Sequence, residues 1–320
     1  MTSYHKIVYK FLFVVSMLFF RIMGLEAKEE MLYQIKHESI TFENREGGKV
    51  RKITAELFYP TRDHKHIADG KFPLVLFAHG YQQYFSDYPN VWETLIPKGY
   101  IFAFITTQQG LTVDIDAYAK DIIFLYRHLC CNDVQSAKVL RGHVRKKSAL
   151  MGHSTGGGAI YLAQAFLPRV TTIVSMSALG KTSYLPISGS SAIDMVEKIT
   201  ISTLILSGSN DCICPPKIYQ TPLYEHFAGT KVSVTIEAGD HCGFSDSKNC
   251  PIAESLSCGI FFQGETISEV EQRRLSMELV LPWLDYFLKE KPKAWSTFES
   301  VLQNKKLKYN SHIMRLHDRK

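Results

Sequence analysis

The 320 residues, 45% hydrophobic and 21% charged, have an ordinary globular composition, which excludes a disordered or fibrous chain. The formal charge of +6 belongs to the ends, since residues 304–320 carry +5 and residues 1–27 carry +2, leaving the body between them at −1. A near-neutral body has no broad surface for phosphates, so no nucleic-acid partner is expected.

Taken in chain order, the first feature is an apolar run from Phe11 to Phe20 preceded by His5, Lys6 and Lys10, with small residues at Gly24 and Ala27. The run is too short to span a bilayer and suits the core of a signal peptide over 1–27. A secreted or extracytoplasmic body is expected, with retention of the segment as an N-terminal membrane anchor as the alternative. Seven cysteines fit an oxidising compartment: Cys130 and Cys131, then Cys212, Cys214, Cys242, Cys250 and Cys258. The odd count leaves at least one outside any internal pair.

Residues 31–60 alternate charged and apolar side chains, which predicts antiparallel strands with one wet face. The texture then changes. Phe72-Pro-Leu-Val-Leu-Phe-Ala78 is continuously apolar, as a strand buried on both faces must be, and similar runs follow at 100–105, 148–151, 171–175, 203–206 and 232–236. Helical spacing marks 114–129, 155–166 and 269–288, the last expected to break or kink at Pro282. Apolar strands alternating with helices predict an α/β fold with a mostly parallel sheet covered on both faces. One domain over 28–303 is expected. Residues 180–199 form the only real insertion, too short for a large cap. Residues 304–320 read as a basic, solvated tail that offers at most a weak contact to an anionic membrane surface.

In such sheets, sites form at the carboxyl ends of the strands. There, Gly152-His153-Ser154-Thr155-Gly156 fits G-x-S-x-G between a strand and a helix, a turn that exposes a serine hydroxyl above the sheet. A serine hydroxyl is a weak nucleophile that needs a base, and the base needs an orienting acid. The chain order Ser, acid, His selects His241, just after the strand 232–236, and Asp211, just after the strand 203–206. Asp240 is the nearest rival acid, but it adjoins the base in sequence and points poorly at its ring. His226 lies in a predicted helix, His312 and His317 lie in the tail, and His153 is too close to Ser154 to serve it. An oxyanion hole would come from the backbone N–H groups of Thr155 and of Tyr81, the latter in the loop Ala78-His79-Gly80-Tyr81. His79 is expected to be structural.

The spacing Cys212-Ile213-Cys214 does not fit a zinc site, and neither a Walker loop nor a G-x-G-x-x-G follows any strand, so no metal and no cofactor are expected. Cys212 follows the candidate acid and Cys242 the candidate base. A bridge from the Cys212/Cys214 pair to the Cys242, Cys250 and Cys258 group would therefore join loops that the chemistry already places side by side, although spacing does not fix the partners.

The motifs Ala-His-Gly-Tyr81, Gly-His-Ser-Thr-Gly156, Gly-Ser-Asn-Asp211 and Asp-His241, in this order, resemble the α/β-hydrolase superfamily. The branch they look like is that of chlorophyllases, dienelactone hydrolases and cutinase-like polyester hydrolases. The resemblance covers roughly residues 72–288. It implies hydrolysis of small or polymeric carboxylic esters through an acyl-enzyme. It departs from dienelactone hydrolases in having a serine nucleophile, and the cysteine cluster is not a general feature of the superfamily. A serine peptidase or amidase on the same triad is the alternative reading, and an inactive binding module is a third.

Overall fold

The computed structural model describes residues 32–46, 49–130, 137–181, 186–248, 250, 258 and 265–313. The chain divides into two units, residues 1–33 and 34–320, and all the secondary structure among the described residues belongs to the second. The segment read as a signal peptide or anchor lies outside the described residues. Among the described residues, no helix is long and apolar enough to cross a membrane.

The alternating N-terminal sequence forms two long antiparallel strands, β1 (Gln34–Glu46) and β2 (Lys49–Thr61). The apolar runs form β3 (Phe72–Ala78), β4 (Ile101–Ile105), β6 (Val144–His153), β7 (Val170–Met176), β9 (Ser202–Gly208) and β10 (Lys231–Ile236). Two-residue strands β5 (Val113–Asp114) and β8 (Ile187–Ser188) pair in parallel with each other, joining the loop after β4 to the 180–199 insertion. The main sheet has nine strands in the order β1-β2-β4-β3-β6-β7-β9-β10-β11, with β11 spanning Leu307–His312. From β4 across to β10 every neighbouring pair is parallel, so all these strands present their carboxyl ends at one edge.

Strand alternation splits the covering helices. Val75, Phe77, Phe102, Met151, Val174 and Leu206 face a core shared with α1 (Pro89–Leu95), α5 (Glu269–Lys289) and α6 (Pro292–Leu302). Trp283 of α5 is fully buried there and its indole N–H donates to Thr172 Oγ1 at 2.8 Å. The other face carries α2 (Ile115–Cys130) and α3 (Ser154–Gln164), where Tyr126 bonds Ser148 at 2.6 Å and Tyr161 bonds Ser175 at 2.8 Å. A further short helix, α4 (Gln220–His226), packs on β9 and β10. This is the α/β-hydrolase fold that the sequence leads one to expect.

Two expectations need correction. The expected break at Pro282 does not occur and α5 runs on to Lys289, because the buried Leu279, Val280, Trp283 and Leu284 hold the helix to the sheet on either side and offset the lost bond and the ring's crowding of the carbonyl four residues earlier. The basic stretch after residue 303 is not wholly a loose tail. Its residues 307–312 form β11, which pairs antiparallel with β10 from Lys231↔His312 to Ile236↔Leu307, the edge of a sheet accepting an exposed strand in which Leu307 alone is buried.

Candidate active site

β6 runs straight into α3, and the turn between them falls on Ser154, whose φ of 52° lies in the left-handed region that side chains rarely adopt. A non-glycine residue held so is strained and persists only where its surroundings fix it. The surroundings are tight. A Cβ on Gly156 would lie 2.2 Å from the carbonyl oxygen of Ala78, and one on Gly152 would lie 2.7 Å from that of Gly156. The helix can cross the strand ends this closely only with glycine at both positions. Closeness is also exploited by bonding: the Gly156 N–H donates to the His79 carbonyl at 3.0 Å, the Thr155 hydroxyl donates to the same oxygen at 3.3 Å, and the Leu179 N–H donates to the Ser154 carbonyl at 2.8 Å.

The loop after β3 is thereby fastened to the start of α3. Its His79 ring is fully buried between the carbonyls of Gly80 and Thr107, at 2.7 and 2.9 Å, and burial holds its pKa below the ordinary histidine value. His79 is structural, as its place at a strand end implies. The Tyr81 ring leans outward, and its hydroxyl donates to the Leu111 carbonyl at 2.8 Å. Thr155 lies in the first turn of α3, where backbone N–H groups have no acceptor within the helix.

The loops after β9 and β10 bring Asp211 and His241 into direct contact, Nδ1 of His241 lying 2.9 Å from Oδ2 of Asp211 with both residues 3% exposed. The other carboxylate oxygen accepts the Cys214 N–H at 2.6 Å. Burial alone would raise the Asp211 pKa. The charge of His241 and the bonds from His241 and the Cys214 amide, with the Ser177 hydroxyl close by, together outweigh it, so the carboxyl stays below the ordinary range. Asp240 does something else. Its Oδ1 accepts the Gly243 N–H at 2.6 Å, closing the base loop on itself, and its burial raises its pKa.

His153 connects the two halves. Its ring lies 4.9 Å from that of His241, and its Nε2 is 3.1 Å from the His241 carbonyl. Burial, reinforced by the nearby His241, pushes its pKa down to about 3, so it is neutral at any ordinary pH. Two disulfides close the acid and base loops: Cys212–Cys258, next to Asp211, and Cys242–Cys250, next to His241. The bridge expected between the acid loop and the later cysteines is thus present. Cys214 remains a buried thiol whose pKa burial raises.

With this geometry, the decisive comparison is that residues 53–257 match the family model described as PET hydrolase-like. The chain belongs to the PET hydrolase-like family. It is therefore an ester-directed hydrolase of the polyester-hydrolase branch of the α/β-hydrolase superfamily. No curated protein matches the sequence. The matched stretch takes in Tyr81, Ser154, Thr155, Asp211 and His241, and it ends before α5.

Four residues around this candidate site escape sequence reasoning. Gln83 and Tyr88 lie behind His153, Ser177 lies against Asp211, and Gln272 of α5 holds the Asp240 backbone, accepting its N–H at 3.0 Å and donating to its carbonyl at 2.8 Å. Gln272 carries no signal in the sequence, since its neighbours on the helix face are Ser268, Glu269, Leu275 and Ser276.

Proposed function

We propose that the protein hydrolyses carboxylic esters through an acyl-enzyme on Ser154, with His241 as base, Asp211 as its orienting acid, and the Tyr81 and Thr155 N–H groups as oxyanion hole. The observation that carries this reading is the buried 2.9 Å bond between Asp211 and His241, whose ring lies 4.9 Å from that of His153, the residue before a serine held at a positive φ. Asp211, kept ionised, accepts the Nδ1 proton of His241 and so leaves Nε2 free to take the proton of the Ser154 hydroxyl. The hydroxyl oxygen adds to the ester carbonyl, and the oxyanion formed is met by two backbone donors that need no reorganisation. Each such donor is worth roughly 10²–10³ in rate. The imidazolium then gives its proton to the leaving alcohol, and a water repeats the sequence to release the acid. Small and polymeric esters both fit the family's chemistry.

The same reading places a signal peptide at 1–27 and the working body outside the cytosol, which the two disulfides support. Ser154→Ala is expected to abolish labelling by a fluorophosphonate and to reduce p-nitrophenyl acetate turnover by roughly 10⁴-fold or more while the melting temperature holds. Labelling that persists on another residue would overturn the assignment of the nucleophile.

A further inference from the structure

Behind the candidate oxyanion loop lies a buried polar cluster that the reaction scheme does not use. Tyr88, fully buried at the entrance to α1, accepts the Gly80 N–H on its hydroxyl oxygen at 3.0 Å. The same hydroxyl lies 2.9 Å from Nδ1 of His153 and against the Gln83 amide oxygen. Gln83 is also buried, and its amide nitrogen donates to Ser245 Oγ at 2.8 Å, in the base loop. Gly80 is what admits this cluster, since a Cβ there would sit 2.2 Å from the Gln83 oxygen and 3.2 Å from His153 Nδ1.

Proton counting gives the cluster a direction. The His241 carbonyl can only accept, so the His153 Nε2 facing it carries the ring proton. A neutral imidazole then has an unprotonated Nδ1, so the single Tyr88 proton faces two acceptors, the Gln83 amide oxygen and His153 Nδ1, and is shared between them. Burial keeps the phenol protonated, so that proton is present to be given. The bonds run in one sense and fork at the phenol: Gly80 N–H to Tyr88 oxygen, then Tyr88 O–H to the Gln83 amide oxygen and to His153 Nδ1, and from these the Gln83 N–H to Ser245 and the His153 Nε2–H to the His241 carbonyl.

We propose that Tyr88 is a positioning residue, the middle of a hydrogen-bond relay that sets the Gly80–Tyr81 loop and the His241 backbone at a fixed separation through the residue preceding the nucleophile. This rests on the proposed Ser154–His241 chemistry. The two ends it joins are the oxyanion donor loop and the base, which otherwise sit on loops after different strands, β3 and β10. If either drifts, substrate still binds, but the oxyanion no longer meets its donor as the proton moves. The relay therefore acts on kcat rather than on KM.

The test is Tyr88→Phe, which removes one oxygen and keeps the ring. Turnover of p-nitrophenyl acetate is expected to lose about ten- to a hundredfold in kcat with KM within about twofold, and fluorophosphonate labelling of Ser154 to slow in step. Tyr126→Phe is the control. It deletes another buried tyrosine hydroxyl bond, to Ser148 on the far side of the sheet, and is expected to lower the melting temperature comparably while kcat stays. His153→Gln, which keeps a donor for the His241 carbonyl and removes one of the two acceptors of Tyr88, should lower kcat in the same sense, and the double variant should lose no more than Tyr88→Phe alone. An unchanged kcat in Tyr88→Phe, kcat losses that merely track melting temperature in both tyrosine variants, or losses that add in the double variant would each overturn the relay. Ser154→Ala separates the layers: residual turnover there would overturn the site assignment itself, whereas a failed Tyr88 result with an inert Ser154→Ala overturns the relay alone.

Discussion

The nucleophile side and the base side of the site are built in different ways. Ser154, Thr155 and the Gly80–Tyr81 loop are held by backbone: strand ends, a helix start and bonds converging on the His79 carbonyl. Asp211 and His241 sit on loops held through side chains and covalent links: the Asp211 carboxylate takes the Cys214 N–H, the Gln272 carboxamide holds the neighbouring Asp240, and two disulfides close the loops. A half built mainly on backbone tolerates no added atom, and its side-chain supports are few, chiefly the Tyr88 and Thr155 hydroxyls. A half built on loops needs its clamps, because loops are the parts of a fold that open first.

The sharpest way to break the first half is Gly156→Ala. The new Cβ would meet the Ala78 carbonyl oxygen at 2.2 Å, backbone against backbone in the middle of a parallel sheet, where nothing can swing aside. A loss of more than about 4 kcal/mol is expected, enough to leave little folded protein. A soluble Gly156→Ala variant with near-normal urea denaturation would show that the crossing of α3 over β3 is looser than this contact implies.

The second half should yield more gradually. In the chain-entropy picture, closing the 46-residue loop by Cys212–Cys258 contributes about 4 kcal/mol and the 8-residue loop by Cys242–Cys250 about 2.5 kcal/mol. Cys212→Ser is therefore expected to destabilise more than Cys242→Ser, and both to lower kcat before they unfold the sheet, since the acid and base loops loosen first. Activity and melting temperature measured across a reductant series check this. Equal losses in the two variants, or melting without prior loss of activity, would mean that the bridges do not act on the loops separately.

This division also explains what the sequence made legible. The buried strands, the order of the candidate residues and the structural role of His79 follow from apolar runs and from glycines at strand ends, which are local patterns. β11 was hidden because Lys308, Tyr309, Asn310, Ser311 and His312 are exposed, so an added edge strand has the composition of a tail. Pro282 misled because a local rule about helix termination was outweighed by tertiary packing around Trp283. Gln83, Tyr88 and Gln272 are 5 to 162 residues from what they hold and carry no spacing signal, since a buried amide or phenol is chosen by three-dimensional neighbours alone. Disulfide partners were equally out of reach: nothing in the spacing says that Cys212 rather than Cys214 is bridged.

The smallest effect falls where the halves meet, at His153, and it has a sign. Unfolded, this histidine takes a proton near pH 6.5; folded, its burial beside His241 delays that to about pH 3. Between those values the unfolded chain holds more protons than the folded one, so acid favours unfolding and stability falls as pH drops through 6.5. From pH 7 to pH 5 the residue's share of the loss is about 2 kcal/mol. Asp211 works in the other window: its folded pKa lies below the unfolded one, so its contribution is present above the unfolded carboxylate range and disappears only in stronger acid. The His153 share can therefore be isolated by urea denaturation of wild type and His153→Gln at pH 7 and pH 5. The wild type should lose more stability over that interval than the variant, by about 2 kcal/mol, even if the variant is the less stable of the two at pH 7. Parallel losses would mean that His153 takes up its proton in the folded state, and with it that Nδ1 is a donor and not an acceptor for Tyr88.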